Sequence, residues 1–220
     1  MKPRIVIVGG GGHAKVLCDL IACTDGFEVV GLVDPALPAG SRQFGLPVLG
    51  DDSILEEVLA SGVGNATVGL GGTGNNRPRK RLFDIVESTG FSLPSLVHPS
   101  AVVSEQAELG EGAQVMAGVI VQTGSLIGKN TILNTGSCVD HDTKVGNHVH
   151  LAPAAALCGG CTVGDLAHVG AGAVVIQDIR VGSGSIVAAG ATVVRDVPDG
   201  TTVAGTPARA IPSSRDRVDS

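Results

Sequence analysis

The chain contains no tryptophan and no tyrosine, and only 4 phenylalanines in 220 residues. All of them (Phe27, Phe44, Phe83 and Phe91) precede residue 92. Without aromatic platforms, a protein that stacks single-stranded bases is excluded. Basic charge is also scarce: 15 Lys and Arg stand against 21 Asp and Glu, a net charge of −6. The deficit holds on both sides of residue 91, with 8 basic against 10 acidic residues before it and 7 against 11 after. Neither half therefore carries the footprint of a nucleic-acid binder. No apolar run is long enough for a membrane span, and Met1-Lys-Pro-Arg4 enters a strand-like stretch directly, without the apolar core of a signal peptide. The 5 cysteines, an odd number with no secretion signal, read as reduced thiols of a cytoplasmic protein.

What is present is aliphatic residues and glycine, 33 of the latter, arranged with a period. Every sixth residue from Val103 to Val193 is Val, Ile or Leu. Two positions before each stands a small residue in 13 of 16 cases, and Gly often follows, as at Gly110, Gly128, Gly146, Gly164, Gly170 and Gly182. A period of six fits neither a helix nor a simple meander. It fits a parallel β-helix of three short faces per coil, with the aliphatic and small residues pointing inward and glycine easing the corners. A narrow interior of this kind suits branched aliphatics better than rings, which accounts for the missing aromatics. Residues 18 apart then stack on adjacent coils, about 4.8 Å apart.

The first ninety residues read differently. Strand-like stretches at 4–9, 28–34 and 66–70 alternate with helical spacing at 14–23, through Leu59, and from Arg77. This predicts a Rossmann-like α/β domain with a parallel sheet, whose ligands sit beyond the C-terminal strand ends. Gly9-Gly-Gly-Gly-His13 forms the first turn there, and Gly71-Gly-Thr-Gly-Asn-Asn76 follows the third strand. Gly9, Gly11 and Ala14 satisfy a G-x-G-x-x-[GA] pattern with Asp34 about 20 residues on, so a dinucleotide is a rival ligand to a nucleotide sugar. The expected division is 1–92 for the nucleotide-sugar domain, 93–211 for the β-helix and 212–220 for a polar tail.

Of six histidines, His141 stands out because it lies between Asp140 and Asp142, which favour an oriented imidazole of raised pKa. Such a base suits amide formation from an amine and a thioester. Gly159 is His141 plus 18, so it is expected one coil above, where its N–H can meet the oxyanion of a tetrahedral intermediate. His150 and His168 also differ by 18 and should stack. Cys158-Gly-Gly-Cys161 lacks a second ligand pair for zinc, and no metal constellation emerges from the histidine spacings. Cys161 falls on a small inward position of the grid.

Gly9-Gly-Gly-Gly-His13, Gly31-Leu-Val-Asp34, Gly74-Asn-Asn76 with Arg79, His98-Pro-Ser-Ala101, Asn134-Thr135, Asp140-His-Asp142 and Gly205-Thr-Pro-Ala-Arg209 together resemble the sugar O-acyltransferases of the sialic-acid and nucleotide-amino-sugar type. That family belongs to the left-handed β-helix superfamily, and the resemblance covers about residues 3–211. It implies His141 as general base, Asp142 as its supporting acid and the Gly159 amide facing the thioester oxygen. It further implies His150 as a contact to acetyl-CoA, with Ala171 and Ala189 lining the pantetheine arm. The nucleotide sugar falls to Gly11, Gly12, His13, Asp34 and Pro35, joined by Asn75 and Asn134. Pro35 stands where relatives have a second Asp. The implied protein is a cytoplasmic homotrimer that needs no metal. It acetylates the 4-amino group of a nucleotide-linked 4-amino-4,6-dideoxysugar, with GDP-perosamine favoured. A UDP-linked 4-amino sugar, O-acetylation of sialic acid, and a nucleotide-binding scaffold or sensor without catalysis remain as alternatives.

Overall fold

Four residues of the first strand, Ile5 to Val8, are completely buried, which requires cover on both faces of the sheet to which they belong. The computed structural model describes residues 2–212; of the expected polar tail only Pro212 falls among them. The chain forms two compact units. One runs to Gly71 and resumes over Arg77–Pro99; the other joins Gly72–Asn76 to the chain from Ser100 onward.

In the first unit, β1 (Arg4–Val8), β2 (Glu28–Val33), β3 (Arg42–Gln43), β4 (Leu46–Gly50) and β5 (Asn65–Val68) form one sheet in the order β3-β4-β2-β1-β5. All neighbours are parallel except the β3–β4 hairpin. Helices α1 (Gly12–Thr24), α2 (Leu55–Ala60) and α3 (Arg77–Thr89) connect or flank the strands. Asp51 opens the short 3₁₀ turn before α2, its side chain accepting the Ser53 N–H at 2.9 Å, as the acidic pair at 51–52 suggests. Phe83, Val86 and Phe91 close the core over Val6, Val8, Val33 and Val68. The hairpin was not legible beforehand: it is short, and Pro47 argues against a strand in its middle. Its turn is made by Phe44 and Gly45, both at positive φ (53° and 80°).

The second unit is a parallel β-helix. Its first face carries six two-residue strands, Val102–Val103, Ile120–Val121, Cys138–Val139, Ala156–Leu157, Val174–Val175 and Thr192–Val193. Ile120 pairs with Cys138 and Val121 with Val139, the 18-residue step that the repeat predicts. A second face includes Glu108–Leu109, and a third includes Gln114–Val115. The inward aliphatic residues are buried from Val115 to Val193, and Cys161 lies among them at 0% exposure. The last coil is shorter. Ile186 pairs with Thr202, a step of 16, and the chain then folds back through the antiparallel strand Arg209–Ile211.

The glycines of the repeat turn out to serve a different purpose from the one expected. The residue that bends each corner lies three before each aliphatic position, and every sixth residue from Gly112 to Gly190 has positive φ. Among these, Asn130, Asp142, His148, Ala154, Leu166 and Asp178 adopt the left-handed conformation without being glycine. Gly110, Gly128, Gly146, Gly164 and Gly182, which follow the second face, are not at positive φ. They are required because the next coil passes directly over them: a Cβ on Gly128 would lie 2.6 Å from the Asn147 amide nitrogen. Backbone cannot give way there as a side chain would. Gly128→Ala is therefore expected to lower unfolding stability by about 1–3 kcal/mol in chemical denaturation, the range for overpacking.

Candidate active site

The corner after the first face lacks this glycine. Gln122, Asp140, Cys158 and Ile176 occupy the corresponding positions, which leaves room for side chains. His141 sits at this corner, its own N–H donated to Asp140 Oδ1 at 2.8 Å and its carbonyl accepting the Gly160 N–H at 2.9 Å. The backbone is thus fixed while the ring stays more than half exposed. His141 Nδ1 lies 2.9 Å from Asp142 Oδ2. A carboxylate accepts, so Nδ1 carries the hydrogen and Nε2 is left as a free basic nitrogen. Asp142 is at φ 57°, in the left-handed corner position. Gly124, one coil earlier, leaves space for its carboxylate, since a Cβ there would lie 2.6 Å from Asp142 Oδ1.

The hydrogen bond that His141 donates to Asp142 holds the His141 pKa above the ordinary histidine range; the negative charges of Asp140, Asp142 and Asp178 add to the effect, and desolvation opposes it. Asp178, two coils above Asp142, was not singled out from the sequence, though the 18-residue arithmetic contains it.

Gly159 stands directly over the base. A Cβ on it would lie 2.6 Å from both Cε1 and Nε2 of His141. Its carbonyl accepts the Asp178 N–H at 3.0 Å, while its own N–H has no hydrogen-bond partner among the described residues. A free basic nitrogen and a free N–H donor on adjacent coils are the two groups that acyl transfer to an amine requires.

The other expected residues lie elsewhere. Ala171 and Ala189 are exposed and stacked at the corner after the third face, the Gly190 N–H meeting the Ala171 carbonyl at 2.8 Å. Asn134 begins an earlier turn of that same corner. A single coil therefore does not bring the alanines to His141. His150 lies on the third face and is 6% exposed. Its Nδ1 lies 2.8 Å from the Gly72 carbonyl and its Nε2 lies 3.1 Å from Asn134 Nδ2. Both ring nitrogens thus have partners within the second unit. His168, one coil above, stacks edge-on against the same ring as expected, 5.1 Å between centroids.

In the first unit, Gly11 and Gly12 open α1 with no side-chain cap, and a Cβ on either would meet nothing within 4 Å. An open, uncapped helix start suits an anion such as phosphate. Gly10 N–H donates to Asp34 Oδ2 at 2.6 Å, and Ala36 N–H donates to Asp34 Oδ1 at 2.8 Å. Asp34 therefore staples the glycine turn to the end of β2, and Pro35 beside it is exposed. Gly71 places His13 next to the end of the β5 segment, 3.4 Å from a Cβ built there. Arg79, one of the basic residues at the start of α3 with Arg77, Lys80 and Arg81, is fully buried. Its Nη1 donates to the carbonyls of Val68 and Leu70 at 3.1 and 2.7 Å, and burial pushes its pKa down to about 9. It fixes the exit of β5, a role that composition alone conceals. An open depression of about 660 Å³ lies toward the other end of α1, lined by residues such as Cys18, Ile21, Phe27 and Phe44; none of the candidate residues lines it.

Residues 4–86 match the PglD N-terminal domain family. PerB from Caulobacter crescentus, solved in complex with CoA and GDP-perosamine, is 43% identical, with 95% of this chain and 97% of that chain covered and a TM-score of 0.88. The GDP-perosamine N-acetyltransferase of Escherichia coli O157:H7 is 31% identical over 160 residues, 70% of this chain and 69% of its own length. The chain belongs to the nucleotide-amino-sugar N-acetyltransferase family. Its β-helix is accordingly the left-handed one of that family. Another relative is the UDP-N-acetylbacillosamine N-acetyltransferase of Bacillus subtilis (strain 168), 38% identical over 120 residues, where the match spans about half of each protein (52% and 51%). No group of three or more His, Cys, Asp or Glu side chains placed to hold a metal occurs among the described residues, and no helix among them is long and apolar enough to cross a membrane.

Proposed function

We propose that the protein transfers the acetyl group of acetyl-CoA to the 4-amino group of a nucleotide-linked 4-amino-4,6-dideoxysugar, with GDP-perosamine as the favoured substrate. The observation that carries this reading is the unpartnered Gly159 N–H over the free Nε2 of His141. The sugar amine attacks the thioester carbonyl while His141 Nε2 accepts its proton. The carbonyl oxygen gains the negative charge and is met by the Gly159 N–H. Collapse of the tetrahedral intermediate breaks the C–S bond, and the proton on His141 passes to the departing thiolate. Asp142 keeps Nδ1–H oriented and stabilises the transient imidazolium.

The open start of α1 at Gly11, Gly12 and His13 is proposed to take the phosphates, with Asp34, Pro35, Asn75 and Asn134 toward the rest of the nucleotide sugar. Ala171 and Ala189 are proposed to line the pantetheine arm. Because these alanines and His141 lie on different corners of the β-helix, a complete site needs a neighbouring copy, which supports a homotrimer. The outward ladder of the first face supports it too: it reads Val102, Ile120, Cys138, Ala156, Val174, Thr192, with Val102 64% exposed. A cytoplasmic location follows from the two substrates.

The test is release of free thiol from acetyl-CoA over a panel of GDP-linked and UDP-linked 4-amino sugars and sialic acid. Turnover is expected with the GDP-4-amino sugar. Preference for the UDP-linked sugars would favour the second reading, to which the Bacillus subtilis relative points. Thiol release only with sialic acid, or none at all, would overturn the amine-acetylation reading.

A further inference from the structure

Three successive peptide units turn the corner above His141, and the middle one lies outside the backbone ladder. The unit joining Leu157 to Cys158 is held at both ends: the Leu157 carbonyl accepts the Asp140 N–H at 3.0 Å, and the Cys158 N–H donates to the Val175 carbonyl at 3.0 Å. The unit joining Gly159 to Gly160 is held likewise, its carbonyl accepting the Asp178 N–H at 3.0 Å and its N–H donating to the His141 carbonyl at 2.9 Å. Between them, Cys158 is joined to Gly159, and among the described residues no backbone group bonds either end of that unit. Its carbonyl is met by a side chain instead: Thr143 Oγ1 donates to the Cys158 carbonyl at 3.1 Å. The same hydroxyl lies 3.4 Å from the His141 carbonyl, but that oxygen already accepts the Gly160 N–H.

Thr143 is fully buried at one of the inward small positions of the repeat. The carbonyl it holds therefore faces the interior, and in a trans peptide the N–H points the opposite way. That N–H belongs to Gly159. Glycine makes this orientation hard to hold: without a Cβ, Gly159 takes either sign of φ, so the unit is free to turn over between its two fixed neighbours. Turned over, it would present a carbonyl where negative charge develops. The Thr143 hydroxyl opposes this, because the inward carbonyl has a partner only while it stays inward. Ser125 makes the equivalent contact one coil earlier, its Oγ 2.9 Å from the Asp140 carbonyl. There the next N–H, that of His141, is taken by Asp140 Oδ1, and no donor is left over.

We propose that Thr143 is a positioning residue for acyl transfer, whose hydroxyl holds the Cys158–Gly159 peptide from inside the coil with its N–H turned out toward the thioester oxygen. The catalytic half of this statement rests on the function proposed above; the anchoring half does not. Thr143→Val keeps the branched shape and removes the hydroxyl. The equivalent inward positions Val119 and Val149 are valine and completely buried, so the coil accommodates the side chain. Thr143→Ser keeps the hydroxyl. Thr131→Val serves as the control: Thr131 is equally buried, and its hydroxyl donates to the Gly146 carbonyl at 2.8 Å at a different corner.

In Thr143→Val, kcat is expected to fall by about 10-fold, the weight of one hydrogen bond. KM for both substrates should stay unchanged, because the N–H acts on charge that develops only in the transition state. Thr143→Ser should remain close to wild type. Thr131→Val should lower the melting temperature at least as much as Thr143→Val while leaving kcat intact. The orientation of the peptide is read separately, from crystal structures of the ligand-free full-length variants: the Cys158 carbonyl is expected inside the coil in Thr143→Ser and turned outward in Thr143→Val. Normal kcat or an unmoved carbonyl in Thr143→Val, a loss that serine does not restore, or an equal loss of kcat in Thr131→Val would each overturn the proposal. If the wild-type protein turns over no amino sugar while the carbonyl still follows the hydroxyl, the anchor stands and the proposed function falls.

Discussion

His141→Asn abolishes most turnover, with kcat lowered by about 10²–10⁴-fold, the contribution of a positioned general base. Nucleotide-sugar binding, measured calorimetrically, stays near its wild-type affinity, because the ring is more than half exposed at a corner and no buried group depends on it. The pH profile carries the sharper test. Only the neutral imidazole accepts a proton, so kcat/KM rises as pH passes the His141 pKa. Because Asp142, Asp140 and Asp178 raise that pKa, the rise falls above the ordinary histidine range near pH 6.5. Asp142→Asn removes the largest contribution and should move the rise to lower pH, whereas a limb set by the substrate amine would stay where it is. A profile identical in the wild type and Asp142→Asn would show that His141 is not the titrating base.

Gly159→Ala loses activity with little loss of stability. The added Cβ would lie 2.6 Å from Nε2 and Cε1 of His141, and the exposed ring is free to swing aside. The fold therefore survives while the base is displaced, and a displacement of about 1 Å at a reacting group is worth roughly 10²-fold in rate. The alanine keeps its own N–H, so the loss reports the geometry of the base and not removal of the oxyanion donor. Gly128→Ala is the control of opposite character: its obstacle is the backbone of the next coil, and stability falls instead. Normal kcat in Gly159→Ala, with the melting temperature unchanged, would show that the His141 ring does not act from this position.

The contrast between these two glycines shows where sequence reading succeeds in this protein. A coil of 18 residues converts spacing into position, so Gly159 over His141 could be read by addition. The same arithmetic reaches Asp142 below Gly160 and Asp178 above it. It assigned the wrong purpose to Gly110, Gly128 and the glycines like them. A repeat reveals which positions are small, but whether the reason is a left-handed corner or a close backbone depends on dihedral angles, and the two kinds of position stand only two residues apart, as Gly110 and Gly112 do.

Outside the repeat no such rule exists. Arg79 looked like one charge among several on a basic helix, yet it is fully buried and bonded to the carbonyls that close β5. The partner of His150 is Gly72, 78 residues away, and no periodicity predicts that pairing. Asp34, which the resemblance gives to the nucleotide sugar, accepts backbone N–H groups of the glycine turn and of Ala36 with its two oxygens.

By itself the sequence determined the architecture of the coil and pointed to the corner proposed as catalytic. Its six-residue pattern of aliphatic and small residues has only one way to bury itself, and that way fixes which residues stack. The tertiary structure alone decided the tautomer of His141, the free N–H of Gly159, and the attachment of the Gly72–Asn76 loop to the coil. These depend on which donors and acceptors remain unpaired once every strand has formed, and that remainder is set by the whole fold rather than by any local spacing.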